Sequence, residues 1–331
     1  MTKVAINGMG RIGRAALKII RDTPDLELVA INDIMALDNL VYLLKYDTVY
    51  GRYERPVGIH DGNLVVDGEE YKFLSERDPA QLPWKELDIA IVFECTGLFT
   101  READLEKHLV AGARRVILSA PLKGEGNVPM VVSRVNAAGP ECELLSCASC
   151  TTNCVSPILE IMDRRIGVKK AIMTTIHAYT ATQAMVDGPA KKWRRGRAGA
   201  ANLVPASTGA ALAATETLPQ FMGKFDGVAV RVPVPVGSLA DVILLTKRPT
   251  SVEEVNAIFT EEAEAHYHGV LGVTDEQIVS ADIIKDPRAS IVDLTMTQVV
   301  DGDLVKVMSW YDNEWGYVNQ MVREAVRMAK E

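Results

Sequence analysis

The 331-residue sequence predicts a two-domain α/β protein. The first domain is a mostly parallel sheet with helices on both faces, and the second is an α+β domain with a mostly antiparallel sheet. Three observations carry this. The length exceeds the ~100–200 residues usual for one domain. The first 149 residues alternate short β-branched runs with helix-periodic segments, the pattern of parallel strands joined by crossover helices. Beyond them, long strand-like runs follow one another with few helices between, which suits antiparallel pairing.

Val4 to Asn7 is an apolar run ending at Gly8, and Ile12 to Ile20 repeats apolar residues at helical spacing, so the chain opens strand, glycine turn, helix. Leu26 to Asn32 is the second strand. Ile89 to Glu94 and Val116 to Ser119 are two more, separated by a helix from Glu102 to Ala111 that Gly112 stops. In the second half Ala171 to Ile176, Val228 to Val234, Val242 to Thr246, Ile291 to Val299 and Leu304 to Trp310 read as strands. Ser251 and Glu254 make a capping box ahead of a helix from Val255 to Ala265. Val318, Met321, Val322, Val326 and Met328 share a face of a terminal amphipathic helix, expected to return to the first domain. The stretch from Thr182 to Val204 has no regular pattern and is long enough to suggest a functional loop. The expected domains are therefore 1–149, completed by helix 315–331, and 150–314.

A 48% hydrophobic content allows a full core, and 24% charged residues is ordinary for a globular protein. The formal net charge of −8 argues against a general nucleic-acid binder. No run approaches the ~18–20 apolar residues of a membrane span, and the chain enters its first strand without a leader, so a cytoplasmic protein with no membrane partner is expected. The five cysteines, Cys95, Cys142, Cys147, Cys150 and Cys154, do not suggest a disulfide framework in so long a chain. The spacing of Cys147, Cys150 and Cys154 admits a metal cluster or a redox pair as well as a nucleophile.

Gly8-Met9-Gly10-Arg11-Ile12-Gly13 fits G-x-G-x-x-G between a strand and a helix, and Asp33 lies twenty residues beyond Gly13 at the end of the next strand. The first glycine permits a tight turn, the second lets backbone approach a pyrophosphate, the third lets helix pack on strand, and the carboxylate holds ribose hydroxyls. The helix N-terminus offers unpaired N–H groups and a positive dipole end to phosphates. A carboxylate at this position, with no arginine in Ile34-Met35-Ala36, favours NAD over NADP.

Ser149-Cys150-Thr151-Thr152-Asn153 places a cysteine at the start of a predicted helix, where the dipole favours a thiolate. A thiol of pKa about 8.5 is only a few per cent ionised at pH 7, whereas one of about 6 is roughly nine-tenths ionised. His177, closing a strand, is the expected partner. Cys95, Cys142 and Cys154 read as packing residues. His60, His108, His266 and His268 read as hydrogen-bonded core or surface groups.

Through these and further motifs the chain closely resembles the phosphorylating glyceraldehyde-3-phosphate dehydrogenases of type I. The resemblance runs from Asn7-Gly8-Met9-Gly10-Arg11-Ile12-Gly13-Arg14 through Lys45-Tyr46-Asp47, Ser149-Cys150-Thr151-Thr152-Asn153, His177-Ala178-Tyr179-Thr180, Ser207-Thr208-Gly209 and Arg231-Val232-Pro233 to Trp310-Tyr311-Asp312-Asn313-Glu314-Trp315-Gly316-Tyr317. It implies a Rossmann NAD-binding domain and a catalytic domain that also forms a homotetramer. It implies that Cys150 attacks glyceraldehyde 3-phosphate to give a thiohemiacetal, then a thioester that inorganic phosphate cleaves, with His177 as base and ion-pair partner and the Cys150 N–H stabilising the oxyanion.

By the same resemblance Thr180 and Arg231 hold the substrate phosphate, and Ser149, Thr151, Arg195, Thr208 and Gly209 hold the inorganic one. Arg11 and Ile12, as backbone donors, join Gly8, Gly10, Gly13, Asp33, Arg77, Thr96, Gly97 and Ser119 around NAD, while Asn313 orients the nicotinamide amide. No metal is implied. The basic run Lys191-Lys192-Trp193-Arg194-Arg195-Gly196-Arg197 falls where the family packs a loop at a subunit interface beside a neighbour's cofactor, so anion binding and assembly explain it better than nucleic acid does. Pro189 is a further feature that goes with NAD. The enzyme alternative is erythrose-4-phosphate dehydrogenase, and Thr180, Thr208-Gly209 and Asp33 favour the triose enzyme. Cys147 stands where relatives commonly carry Asn and is a candidate second thiol. Leu122 to Asn127 and Val236-Gly237-Ser238 also depart from the commonest forms, and neither is expected to touch a residue assigned to chemistry.

Overall fold

The structure is a computed structural model and describes residues 1–330. The chain divides into two compact units. One comprises Met1–Val131, Ala138–Ala148 and the C-terminal residues from Met321, and the other comprises Val132–Ala137 and Ser149–Gln320. The division falls inside the terminal helix Trp315–Ala329.

In the first unit, six strands pair in parallel in the order Leu144–Ser146, Arg115–Leu118, Ile91–Glu94, Thr2–Asn7, Leu26–Asn32, Glu69–Leu74. Val4, Ala5 and Ile6, then Ile91, Val92 and Phe93, are buried consecutively, because a parallel sheet is covered on both faces. Two antiparallel strands, Asn63–Val66 and Val57–His60, extend the sheet. Their hairpins turn at Asp61-Gly62 and Asp67-Gly68, all four with positive φ, the left-handed pair that matches strand twist. The helix Glu102–Val110 ends at Gly112, whose φ of +102° no side chain adopts easily.

The second unit orders its strands Val204–Ser207, Phe225–Val232, Val168–Ala178, Ser238–Thr246, Leu304–Tyr311, Ser290–Asp293, Leu271–Thr274, with Gln298–Val300 also on Leu304–Tyr311. Only the pairings of Val168–Ala178 with Phe225–Val232 and of Leu271–Thr274 with Ser290–Asp293 are parallel. The helix Cys150–Arg165 buries Val155, Ile158, Leu159, Ile161 and Met162 in a core with Val242, Leu244, Val305 and Val307. Burial of each such side chain is worth about 1.5–3 kcal/mol relative to exposure, so the start of this helix is held firmly.

Two local expectations change. Ile291 to Val299 is not one strand: Asp293 accepts hydrogen bonds from the N–H and hydroxyl of Thr295 at 3.1 and 2.6 Å, and this local competition bends Leu294–Met296 into a 3₁₀ turn. Only half of the capping box forms. Ser251 Oγ accepts Glu254 N–H at 3.3 Å, while the Glu254 carboxylate turns to Arg248, at 2.7 and 3.0 Å, and to Thr250. Among the described residues, no helix is long and apolar enough to cross a membrane.

Candidate active site

The glycine turn in the first unit is shaped by close approach. A Cβ on Gly13 would stand 1.9 Å from Gly8 O, and one on Gly8, with φ +95°, would stand 2.6 Å from Thr96 N. Gly10 caps the helix Arg11–Arg21 without a side-chain bond, and the Arg11 guanidinium reaches Asp47 at 2.6 Å. Asp33 is locked by the N–H groups of Met9 and Met35 at 2.6 and 2.8 Å. A cleft of about 430 Å³ brings Gly8, Gly10, Asp33, Arg77 and Thr96 together with Asn7, Asn32 and Phe99. Gly97 (φ +68°) follows in the same turn, and Ser119 donates its N–H to Glu94 O at 3.0 Å. A tight glycine turn, a helix N-terminus and a preset carboxylate in one cleft fit a dinucleotide.

Beside the cleft lies a buried network in which His108 is a hydrogen-bonded core group, as expected, while Trp84 and Glu94 are members sequence reasoning missed. Trp84 Nε1–H donates to His108 Nδ1 at 2.9 Å, which leaves His108 Nε2–H to donate to Glu94 at 3.2 Å. Glu94 also accepts from Asn7 Nδ2 at 2.6 Å and from Thr96 N–H at 2.7 Å, so it sets two cleft-lining residues.

In the second unit, Ser149 caps the helix that Cys150 begins, its Oγ accepting Thr152 N–H at 3.1 Å. Cys150 Sγ is 3.4 Å from His177 Nε2. The parallel register sets His177 beside Arg231, and Arg231 Nη1 lies 2.7 Å from His177 Nδ1 and 2.8 Å from Ala178 O. His177 Nδ1 is also 2.7 Å from Ala178 O. In the tautomer that gives Nδ1–H to that carbonyl, the Nε2 lone pair faces the thiol, as a base needs, whereas the Arg231 Nη1 donor 2.7 Å from Nδ1 favours the tautomer with the proton on Nε2.

The expected resting ion pair is not what this enclosure favours. Burial holds the His177 imidazolium down to about 3, with Arg231 adding repulsion. Cys150 keeps some accessible surface, yet dense surroundings push its thiol up, against the pull of Arg231 and Thr151. Both shifts favour a neutral thiol beside a neutral imidazole.

Several other expected residues gather here. Arg195 Nη1 donates to Thr182 Oγ1 at 2.8 Å, and Thr182 Oγ1 is 2.8 Å from Thr180 Oγ1, so Thr182 is a member sequence reasoning missed. Thr208 Oγ1 accepts Ala210 N–H at 3.1 Å, and Gly209 caps Ala210–Thr217, a second helix N-terminus in this unit. Thr151 is turned inward: its hydroxyl meets Tyr311 OH at 2.9 Å, and that phenol meets Thr175 at 2.7 Å. Buried Nε atoms of both Arg195 and Arg231 have no hydrogen-bond partner.

Two departures resolve differently. Cys147 belongs to the first unit, and its thiol is pushed well up by burial and by neighbours Glu324 and Cys95. Val236-Gly237-Ser238, expected to touch nothing chemical, does touch Asn313: Gly237 N–H and Ser238 Oγ stand 3.2 and 3.0 Å from its Oδ1. The sequence held no periodicity that could show this, because the contact joins the start of the strand Ser238–Thr246 to the turn after Leu304–Tyr311, 75 residues away along the chain. Among the described residues, no group of three or more His, Cys, Asp or Glu could hold a metal ion.

A dinucleotide-binding α/β unit joined to a unit carrying a cysteine–histidine pair defines an NAD-dependent oxidoreductase. Residues 2–102 match the family model described as glyceraldehyde 3-phosphate dehydrogenase, NAD binding domain, and residues 149–313 match the corresponding C-terminal domain. The chain belongs to the glyceraldehyde-3-phosphate dehydrogenase family. It is 45% identical to glyceraldehyde-3-phosphate dehydrogenase 2 of Streptomyces avermitilis over 97% of this chain and 96% of that one. It is likewise 45% identical to the Clostridium pasteurianum glyceraldehyde-3-phosphate dehydrogenase over 100% and 99%. A Nostoc relative, glyceraldehyde-3-phosphate dehydrogenase 1, is 46% identical over 97% and 94%.

Proposed function

We propose that the chain oxidises D-glyceraldehyde 3-phosphate to 1,3-bisphosphoglycerate, using NAD and inorganic phosphate. The observation that carries this reading is the 3.4 Å contact of Cys150 Sγ with His177 Nε2 at a helix N-terminus, beside Arg231. His177 takes the thiol proton as sulfur bonds to the aldehyde carbon and passes it to the oxyanion, giving the thiohemiacetal hydroxyl; the same nitrogen then takes that hydroxyl proton as the hydride leaves. NAD, when bound, accepts the hydride. An oxygen of inorganic phosphate then attacks the thioester carbon, the Cys150 thiolate leaves, and the product is an acyl phosphate.

Gly8, Gly10, Gly13, Asp33, Arg77, Thr96, Gly97, Ser119, the N–H groups of Arg11 and Ile12, and Asn313 are the residues we assign to NAD. Thr180 and Arg231 are assigned to the substrate phosphate, and Ser149, Arg195, Thr208 and Gly209 to the inorganic one; the Thr151 hydroxyl, expected there, is turned inward to Tyr311 and is left out of that set. The unpartnered Nε atoms of Arg195 and Arg231 support both anion assignments, since a phosphate would complete them.

We further infer a cytoplasmic homotetramer. Trp193, Met185 and Val186 are 89%, 88% and 75% exposed in the irregular 182–203 stretch, and Ile172 and Leu304 line an open apolar groove of about 550 Å³ on the second sheet. Such surface is usually covered by a partner. Mass photometry reads the assembly directly, and a monomer would refute it. The activity is tested by NADH formation from glyceraldehyde 3-phosphate, omitting phosphate or replacing NAD by NADP in turn. Phosphate-independent oxidation that prefers erythrose 4-phosphate would overturn the assignment.

A further inference from the structure

Gly237 has φ +86°, and a Cβ there would come 2.5 Å from Ser280 O, so the turn before Ser238 depends on glycine. That turn aims the Gly237 N–H at Asn313 Oδ1, 3.2 Å away. Ser238 is 1% exposed, and its Oγ lies 3.0 Å from the same Oδ1 and 3.2 Å from Ala178 N. The chemistry of the donors fixes the direction of each bond. Ala178 N–H can only donate, so Ser238 Oγ accepts it and spends its own hydrogen on Asn313. Gly237 N–H can also only donate. Asn313 Oδ1 therefore receives two hydrogen bonds, and a flipped amide would set its NH₂ group against the Gly237 N–H. The amide has one permitted orientation, in which Nδ2 is directed away from the turn as a donor.

A carboxamide ligand offers a carbonyl oxygen at one end and an NH₂ group at the other. A clamped donor reads the oxygen and rejects the opposite rotamer. Ala178 ties this clamp to the base, since its carbonyl accepts from Arg231 Nη1 at 2.8 Å and lies 2.7 Å from His177 Nδ1 while its N–H is held by Ser238. We propose that Ser238, with the Gly237 N–H, is a positioning residue that fixes the Asn313 amide so that it donates to the nicotinamide carboxamide oxygen, and that joins this reader to the strand carrying His177. The proposal rests on the assignment of Asn313 to the nicotinamide.

The test is calorimetric binding of NAD and of ADP-ribose, which lacks nicotinamide, to the wild type, Ser238→Ala, Asn313→Ala and the double variant. Loss of a buried hydrogen bond of about 1–1.5 kcal/mol corresponds to roughly 5- to 12-fold. Ser238→Ala is expected to weaken NAD by that factor and leave ADP-ribose unchanged, and to add nothing in the Asn313→Ala background. Unaltered NAD binding by Ser238→Ala, beside a weakened Asn313→Ala, would refute the role of Ser238. Equal weakening of NAD and ADP-ribose would make Ser238 merely structural and equally refute it. If Asn313→Ala leaves the NAD to ADP-ribose ratio unchanged, the assignment of Asn313 itself fails, and the proposal with it.

Discussion

Arg231 and His177 sit side by side on neighbouring parallel strands, Nη1 to Nδ1 2.7 Å apart. One fixed cation acts on two titrating groups in opposite senses. It raises the cost of an imidazolium and lowers the cost of a thiolate at Cys150.

Arg231→Gln is expected to move the alkylation profile of Cys150 to higher pH. The thiol is already pushed up by burial, and Arg231 is the largest influence pulling it back. Iodoacetamide reacts with the thiolate, so its rate rises with pH through the thiol pKa. A midpoint that stays put or moves toward acid would show that the cation does not act on Cys150.

Gly13→Ala and Gly10→Ala are expected to separate folding from binding. A Cβ at position 13 meets Gly8 O at 1.9 Å, whereas one at position 10 meets nothing within 4 Å. Gly13→Ala should lower thermal stability by about 1–3 kcal/mol, the usual cost of overpacking, and weaken NAD. Gly10→Ala should weaken NAD binding with an unchanged melting temperature for the ligand-free protein. Differential scanning fluorimetry with and without NAD reads both.

Asp33→Ala should reduce kcat/KM with NAD by roughly tenfold, about one hydrogen bond to a charged group, and should narrow the NAD to NADP ratio. The carboxylate also holds the N–H groups of Met9 and Met35, so some loss of order in the turn is expected. Steady-state kinetics with both cofactors decides. A wider preference for NAD in the variant would contradict the role of Asp33.

Glu262→Gln tests a stabilising network away from the chemistry. Glu262 is nearly buried and accepts from Arg164 at 2.9 and 3.0 Å and from Arg165 at 2.7 Å. Arg164 and, against burial, Arg165 hold its carboxyl below the usual carboxylate range. A depressed folded-state pKa gives stability that is present above the unfolded carboxylate value and is lost as pH falls through the folded one. The arginines are partly in solvent, so the expected loss at pH 7 is about 1–2 kcal/mol. Denaturant titrations should show the difference closing as the pH falls below about 4.

The glycine turn and the helix start at Cys150 were legible because their signals are local. G-x-G-x-x-G sits between a strand and a helix, Asp33 ends the next strand, and Cys150 starts a helix, each a signal read within a short stretch of chain. The Asp61-Gly62 and Asp67-Gly68 turns were equally local signals and went unread. Ile291 to Val299 was misread because apolar content hid the competition between Asp293 and the ladder.

What the sequence alone determined was the alternation of elements in the first half, the glycine geometry and the family. Tertiary structure decided what depends on register and burial. It set Arg231 against His177, turned Thr151 inward to Tyr311, joined Thr182 to Arg195, and brought Ser238 to Asn313. Its burial also works against the expected ion pair of Cys150 and His177. Hydrogen-bond partners and desolvation are properties of neighbours in space, and strand pairing supplies neighbours that no spacing along the chain records.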